Sequence, residues 1–585
     1  RAALHKKLLR DLVRLRGQVV TIALVLGCGI ASFVALRGVF WSLEQARLRF
    51  YQRQRFADVF ATLERAPERL HRVLQTIPGV ERIQIRVVEK AMLPLADAPE
   101  PIAARVVSLP EAESLNAIQL REGRRPSAAH QDEVVLLAGF ADAHHVKPGD
   151  QLPAIINGKL RKLRVVGTAA SPEYIMAVSP GSFNPDPNRL AVIWMTAEAV
   201  LASFGMRGEF NDVALELVPG ASEPGAIDAV DRVLAPYGGL GAYGRSRQPS
   251  HRMLSDKLIQ LQSLSTVLPL IFLAVAALLV NVVLTRLIQL ERSEIATLKA
   301  IGYSNARVGL HYLELVLAVG APGVPLGVAL GAYFGAQMVK LYTFYFRIPD
   351  LAFRLDGRDV LLAASVSVLS AMAGALSGVY RAVTLPPAEA MRPPSPARYR
   401  RGFSDWLGAS ALGPSAQMVV RELERRPLRA VLSVLAIAAS TALSVVGGWY
   451  YDGIYSLLDT QFHRAMREDI LIAFTKPRPE RAVRELAHLS GVRHAEGLRL
   501  VPVRLRSAHH YRDVVLWGYP DQSEMRQLRN SLGASVPLPA DGLVLTDLLA
   551  RILDVGVKDS IEVDFLEGSR GKRNLVVSGL VSEAF

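Results

Sequence analysis

The chain has 585 residues, half of them hydrophobic, with 68 Lys and Arg against 54 Asp and Glu and a formal charge of +14. One cysteine, Cys28, excludes an intrachain disulfide framework and any multi-cysteine zinc or iron–sulfur site. The apolar content is ordinary for a globular protein, so what informs is how the apolar residues cluster.

A helix needs about 20 predominantly apolar residues to cross a bilayer. Five runs approach or exceed that length: 19–36, 267–284, 315–339, 360–380 and 430–451. One such run fits a buried core helix, but five in one chain point to a membrane bundle. The first run follows a basic segment, as a cleaved signal peptide would. It is long for one, and a similar unit recurs at Arg429, so a retained anchor is expected.

Residues 1–16 carry six basic side chains: Arg1, Lys6, Lys7, Arg10, Arg14 and Arg16. The segment 381–429 carries nine, and Arg286, Arg292, Lys299 and Arg307 follow the second run. The excess of Lys and Arg in cytoplasmic loops places these three segments inside and 42–260 and 452–585 outside. The short loop before the fourth run carries four and runs against this trend. Topology accounts for the basic excess, so nucleic acid is not an expected partner.

Gly323, Gly327, Gly331 and Gly335 are four apart and share a helix face, which invites close approach of a neighbouring backbone. Ser440, Ser444 and Gly448 repeat the theme, as do Gly374 and Gly378. The run interiors lack Asp, Glu, Lys and Arg, which argues against an ion- or proton-driven carrier.

Short matches recur along the chain in constant order. Arg10-Asp11-Leu12 answers to Arg421-Glu422-Leu423, and Asp58 to Asp469, both at an offset of 411. Gly79-Val80 answers to Gly491-Val492 at 412. Asp132 to Leu136 answers to Asp541 to Leu545, and Asp150 to Asp559, at 409. Val165-Val166 answers to Val576-Val577 at 411. The expected unit is one span, an outside domain and three spans, with the second copy incomplete and a natural chain of roughly 800 residues. The fold class is therefore an α-helical membrane protein with mixed α/β extracytoplasmic domains.

Within the first outside domain, 80–88 and 162–166 read as strands and 67–75 and 197–203 as short helices. Pro148-Gly149-Asp150 and Asn157-Gly158 mark turns. Amphipathic flanks at 41–56 and 253–264 read as a pair of stalk helices.

No GxxxxGK[ST] loop, HExxH or GxSxG occurs; GSRGK at 568–572 has the wrong spacing and is followed by Arg573. His144-His145 and His509-His510 are adjacent pairs whose side chains diverge, so they read as surface residues. His311 and Glu314 read as interfacial. No catalytic residue, metal ligand or directly bound cofactor is expected.

Three stretches together resemble the FtsX/MacB/LolC-type permeases, membrane subunits of a class of ABC transporters. The first is ERSEIATLKAIG, Glu291 to Gly302, similar to that family's coupling segment. The second is Asp132 to Leu136 with Val146 to Asp150 and Leu163 to Gly167, similar to its periplasmic core domain. The third is Leu385 to Arg392 with Met418 to Arg429, similar to its signature after the fourth span and its lead into a second half. The resemblance implies a non-catalytic mechanotransmission subunit in a bacterial inner membrane. Two copies of a partner ATPase would bind ATP and Mg, and their closure would move the outside domains to export or extract a lipophilic or peptide substrate. It also implies contact with membrane lipids and with a periplasmic adaptor or enzyme. The alternative is a regulatory scaffold that drives a periplasmic enzyme and carries no cargo.

In the coupling segment, helical spacing sets Glu291, Ile295, Leu298 and Gly302 near one face and leaves Arg292, Glu294 and Lys299 to solvent or a partner. The expected organisation is 1–41 (N-terminus and first span), 42–260 (first outside domain and stalks) and 261–384 (three spans, with coupling segment 288–307). Then come 385–427 (linker), 428–451 (fifth span) and 452–585 (second outside domain).

Overall fold

The structure is a computed structural model. It describes all residues except 1, 96–100, 110–113, 178–185, 385, 387–426, 475–476, 508–509, 521–522, 531–533, 540, 568–570 and 583–585. The linker expected at 385–427, the motif at 385–392, most of that at 418–429, the Arg421-Glu422-Leu423 match and His509 thus lie almost wholly outside the described residues. The chain divides into two compact units. A helical unit holds Arg1–Ala46, Asp256–Phe344 and Asp350–Tyr451; an α/β unit holds Arg47–Ser255, Tyr345–Pro349 and Asp452–Phe585.

Four helical stretches among the described residues are long and apolar enough to cross a membrane: Arg16–Arg53, Pro249–Leu290, Asn305–Phe346 and Gly357–Thr384. The fifth apolar run lies inside the helix Pro427–Asp459. The third run, expected as one helix, is two: Asn305–Gly320 and Gly323–Phe346. Pro322 sits at the break, where it has no N–H to give the preceding turn. The core joins Leu273, Ala276, Val280 and Leu284 to Tyr312, Leu315, Ala371 and Ala375.

The α/β unit contains β1 (Val59–Pro67), β2 (Val80–Arg86), β3 (Val88–Leu93), β4 (Ile102–Leu109), β5 (Gln119–Gly123), β6 (Glu133–Leu137), β7 (Gln151–Ile156) and β8 (Lys159–Ala170). There follow β9 (Leu190–Thr196), β10 (Glu209–Leu217) and β11 (Tyr243–Gly244). A four-stranded sheet runs β11-β1-β10-β2, backed by the helix Glu223–Leu234. A seven-stranded sheet runs β5-β8-β6-β9-β4-β3-β7, and β7 also pairs with β8, so six strands close into a ring. β6 and β9 are buried along nearly their whole length, which matches their continuous apolar sequences EVVLL and LAVIWMT. The single strand expected at 80–88 is instead two strands in two sheets, broken after Arg86. There the Val87 N–H leaves the ladder for the Ser108 hydroxyl.

The later residues add β12 (Arg499–Ser507), β13 (His510–Gly518), β14 (Leu543–Thr546), β15 (Ser560–Phe565) and β16 (Lys572–Val581), ordered β13-β12-β15-β16-β14. This repeats the order β4-β3-β7-β8-β6 of the ring. β6 runs parallel to β8 with a register shift at Val134/Val135, and β14 runs parallel to β16 with one at Leu543/Val544. The turn recurs as well. The Lys147 N–H donates to Asp150 Oδ2 at 2.8 Å, and the Gly556 N–H to Asp559 Oδ2 at 2.7 Å.

Candidate functional site

The segment Glu291 to Gly302 is a short helix, Arg292–Ala300, set between the helices Pro249–Leu290 and Asn305–Gly320. It ends at Gly302, whose φ of +101° few other residues adopt. Ser304 then caps the next helix, its hydroxyl accepting from the Arg307 N–H. These signals seat the helix against the bundle.

The seating reorders the expected face. Glu291 is 2% exposed, Ile295 is wholly buried with Leu287, Val308 and Tyr312, and Ala296 is buried as well. Leu298 is half-buried, and Gly302 is exposed at the turn. Lys299, expected to face solvent or a partner, is half-buried and donates to the Val383 carbonyl at 2.7 Å, in the last turn of Gly357–Thr384. That carbonyl has no later turn to bond within its helix, so an ammonium group suits it. Burial pulls the Lys299 pKa down. Arg292 is half-buried, while Glu294 keeps 55% of its side chain exposed. The open face is therefore Ser293, Glu294, Thr297, Ala300 and Ile301, the last 72% exposed.

Glu291 has long-range partners that spacing alone did not reveal. Lys7, on the N-terminal helix Ala2–Arg14, places its Nζ 2.8 Å from Glu291 Oε2, 3.0 Å from Asp11 Oδ2 and 3.0 Å from Glu294 Oε2. The Tyr312 hydroxyl donates to the same Glu291 oxygen at 3.0 Å. Burial alone would lower the Lys7 pKa, but the hydrogen bonds that its ammonium donates to Glu291, Asp11 and Glu294 outweigh it and push it up. His311 is buried rather than interfacial, with Nε2 3.9 Å from Asp11 Oδ2. The available sequence signal was Asp11, a lone acid in a basic N-terminal segment, paired at i,i+4 with Lys7.

The four spaced glycines lie where other chain segments come close. A Cβ added at Gly323 would stand 2.7 Å from the Ala23 carbonyl, at Gly327 2.6 Å from Ile30 Cβ, and at Gly331 2.8 Å from the Ala31 carbonyl. All three neighbours are on Arg16–Arg53. At Gly335 the Cβ would meet the Phe353 ring. Asn281 ties Pro249–Leu290 to Gly357–Thr384 by donating to the Gly374 carbonyl at 2.9 Å and the Ser377 hydroxyl at 2.6 Å.

In the α/β unit, the ends of the expected stalks meet. Arg47 donates to the Ser255 hydroxyl at 3.0 Å, and Tyr51 Oη lies 3.2 Å from His251 Nδ1. Arg86 is buried between the first two sheets and makes a two-pronged bond to Glu173, at 2.6 and 2.5 Å, and a third to Asp212 at 2.5 Å. Desolvation alone would lower the Arg86 pKa, but Asp212 and Glu173 hold it well above its ordinary range. The Arg124 guanidinium and the Ser127 N–H bond Glu133 and drop its pKa to about 2. His144 Nε2 lies 3.1 Å from the Asn188 carbonyl. Among the described residues, no three His, Cys, Asp or Glu side chains gather to hold a metal ion.

Residues 266–387, which include the seated segment, match the family model described as FtsX-like permease C-terminal. No curated protein matches the chain. Among solved structures, the chain is similar to the extracellular domain of the noncanonic ABC-type transporter YknZ from Gram-positive bacteria. Identity there is 12%, over 32% of this chain and 98% of that one, with a TM-score of 0.23. It is similar also to the periplasmic region of MacB from Actinobacillus actinomycetemcomitans, at 10% identity over 34% of this chain and 92% of that one, TM-score 0.23. A domain of a putative permease protein from Porphyromonas gingivalis matches at 14% identity over 32% of this chain and 86% of that one, TM-score 0.20. At such identities and scores these likenesses carry no activity across.

Proposed function

We propose, from the membership of residues 266–387 in the FtsX-like permease family, that the chain is the membrane subunit of an ABC transporter of the mechanotransmission type. Partner ATPase subunits, two per assembly, bind ATP and Mg and hydrolyse it; this chain contributes no catalytic residue. Closure of the ATPases at the inner face of a bacterial plasma membrane is passed through the helices to the extracytoplasmic α/β domains. Those domains then export or extract a lipophilic or peptide substrate.

The observation that carries this reading is the short helix Arg292–Ala300 held between two long apolar helices inside the family match. Its buried face is anchored by Glu291 and Ile295, and its open face is free to meet another protein. Rigid anchoring suits a part that must transmit displacement rather than absorb it. The matched strand order of β6-β8-β7-β3-β4 and β14-β16-β15-β12-β13 supports a duplicated unit, so that one chain supplies both halves of the membrane domain.

The test is ATP hydrolysis by the full chain in nanodiscs, alone and with the ATPase encoded beside it. The chain alone should be silent, and the pair should form and hydrolyse ATP. If no ATPase binds under any nucleotide condition, the reading fails. Coupled hydrolysis with no change in the α/β domains would remove the mechanotransmission part alone.

A further inference from the structure

The connection between the helices Gly323–Phe346 and Gly357–Thr384 does not stay with the helices it joins. The chain up to Phe344 and from Asp350 belongs to the helical unit, whereas Tyr345–Pro349 belongs to the α/β unit. Within the α/β unit this short segment is held by polar contact, by packing and by backbone shape.

Arg347 Nη1 donates to Asp142 Oδ2 at 2.6 Å, and Arg121 Nη1 donates to the same oxygen at 2.8 Å. Asp142 is on the helix Ala138–Ala143, which follows β6 and buries Phe140 and Ala141 in the core of the six-stranded ring. The Arg347 side chain lies over Gly139 of the same helix, where an added Cβ would stand 3.2 Å from Arg347 Cδ. On either side of Arg347, Phe346 is 4% exposed and Ile348 2%. Arg347 holds a left-handed φ of +48°, a costly conformation for a long side chain, and Asp350 holds one of +57°. Between them Pro349 fixes its own φ and keeps Ile348 extended.

An exposed ion pair alone contributes little, and Asp142 is 49% exposed. Two buried apolar neighbours and a bracketed backbone turn this pair into a joint. The chain path gives the joint a direction. The helix Gly323–Phe346 runs straight into it, and the glycines of that helix press on Arg16–Arg53. Upstream, through Pro322 and Asn305–Gly320, the same path begins at the segment Arg292–Ala300.

We propose that Phe346-Arg347-Ile348 is a strap fastening the end of Gly323–Phe346 to the six-stranded ring. Movement of that helix is then carried to the ring through Arg347 and Ala138–Ala143, in addition to the two stalks. Arg347 is a positioning residue. The strap stands on its own contacts, while the force that loads it rests on the ABC-permease reading.

Crosslinking in the full chain in nanodiscs tests the strap without any partner. Cys28, the one native thiol, is first replaced in Cys28→Ala. Gly139→Cys with Arg347→Cys should then react with a short bifunctional thiol reagent at least tenfold faster than Arg347→Cys with Leu160→Cys, Leu160 being 67% exposed. Equal rates overturn the strap, whatever the chain binds. The load is read separately, from spin labels at exposed Leu160 and Leu264 in the chain with the ATPase encoded beside it. ATP should shift the distance between the labels. Arg347→Glu, which sets two like charges together at Asp142, should at least halve that shift while hydrolysis continues, and Arg347→Lys should keep most of it. An undiminished shift in Arg347→Glu overturns the transmitting role. A wild-type chain that shows no ATP-dependent shift overturns the reading that loads the strap, and the crosslinking rates still decide the strap itself.

Discussion

Arg504 Nη2 lies 2.8 Å from Asp231 Oδ2, joining residues 273 positions apart and two different sheet systems. Arg504 is on β12, and Asp231 is on the helix that backs the four-stranded sheet. The same guanidinium bonds Asp513 at 2.6 Å, and Arg247 reaches Asp513 from the other side at 2.8 Å. Tyr511 presents its ring to Arg247, Arg504 and Arg506, with centroid distances of 5.4 to 5.7 Å. Arg504 is nearly buried, so this is a desolvated ionic contact between the two α/β regions.

Removing the Arg504 charge takes that cation from Asp231 and leaves Asp513 with Arg247. Arg504→Met should destabilise the α/β unit by about 3 kcal/mol, and Asp231→Asn should rescue part of that loss. Thermal unfolding of the full chain in nanodiscs, read for both single variants and the double, measures the coupling. Strictly additive effects would show that the contact contributes nothing.

Gly327 carries a packing prediction with an internal control. A methyl group there would stand 2.6 Å from Ile30 Cβ and 2.7 Å from the Gly27 carbonyl, on backbone that has little room to give. Gly327→Ala should cost roughly 1–3 kcal/mol as the helices are forced apart. Gly447→Ala meets nothing within 4 Å and should be neutral. Unfolding by graded denaturing detergent ranks the two, and equal stability would sink the packing role.

Glu133 sets an acid sensitivity. Its pKa is about 2 in the folded chain against an ordinary 4.5, so folding favours the ionised form. Stability from this group is fully present above pH ~4.5 and is lost as the pH falls toward 2. Arg124 is mostly exposed, so salt should weaken the effect. Acid unfolding monitored from pH 6 to pH 2 should be shallower in Glu133→Gln, which should also be the less stable variant at pH 7. An unchanged pH slope would exclude Glu133 as a contributor.

Arg86 tests geometry rather than charge. Its fork satisfies both oxygens of Glu173 and one of Asp212, a pattern that a single ammonium cannot reproduce. Arg86→Lys should therefore lose most of what Arg86→Met loses, about 3–5 kcal/mol for unpairing buried carboxylates. Full retention of stability in Arg86→Lys, measured by thermal melts, would contradict a role for the fork.

Much of the fold was legible in local pattern. Four of the five apolar runs lie each inside a single long helix, because a span must satisfy its backbone within itself and declares its length in hydropathy. The offsets of 409 to 412 recur as a shared strand order, because a strand with its turn is a short, repeatable sequence event. The break at Pro322 leaves no mark in hydropathy, because the run on either side of it is uncharged.

The sequence by itself determined which segments are apolar, which are basic, where the turns fall and that a coupling-like motif follows the second long helix. Only the tertiary structure decided which face of that motif is open. Helical periodicity places Glu291 and Ile295 together but does not say whether that face meets water or the bundle. The answer depends on Lys7, 284 residues away, on Tyr312 and on the Val383 carbonyl that captures Lys299. Ion pairs between distant segments leave no periodic trace, because a charge is equally at home on a solvated face or beside a buried partner, and packing alone chooses between them.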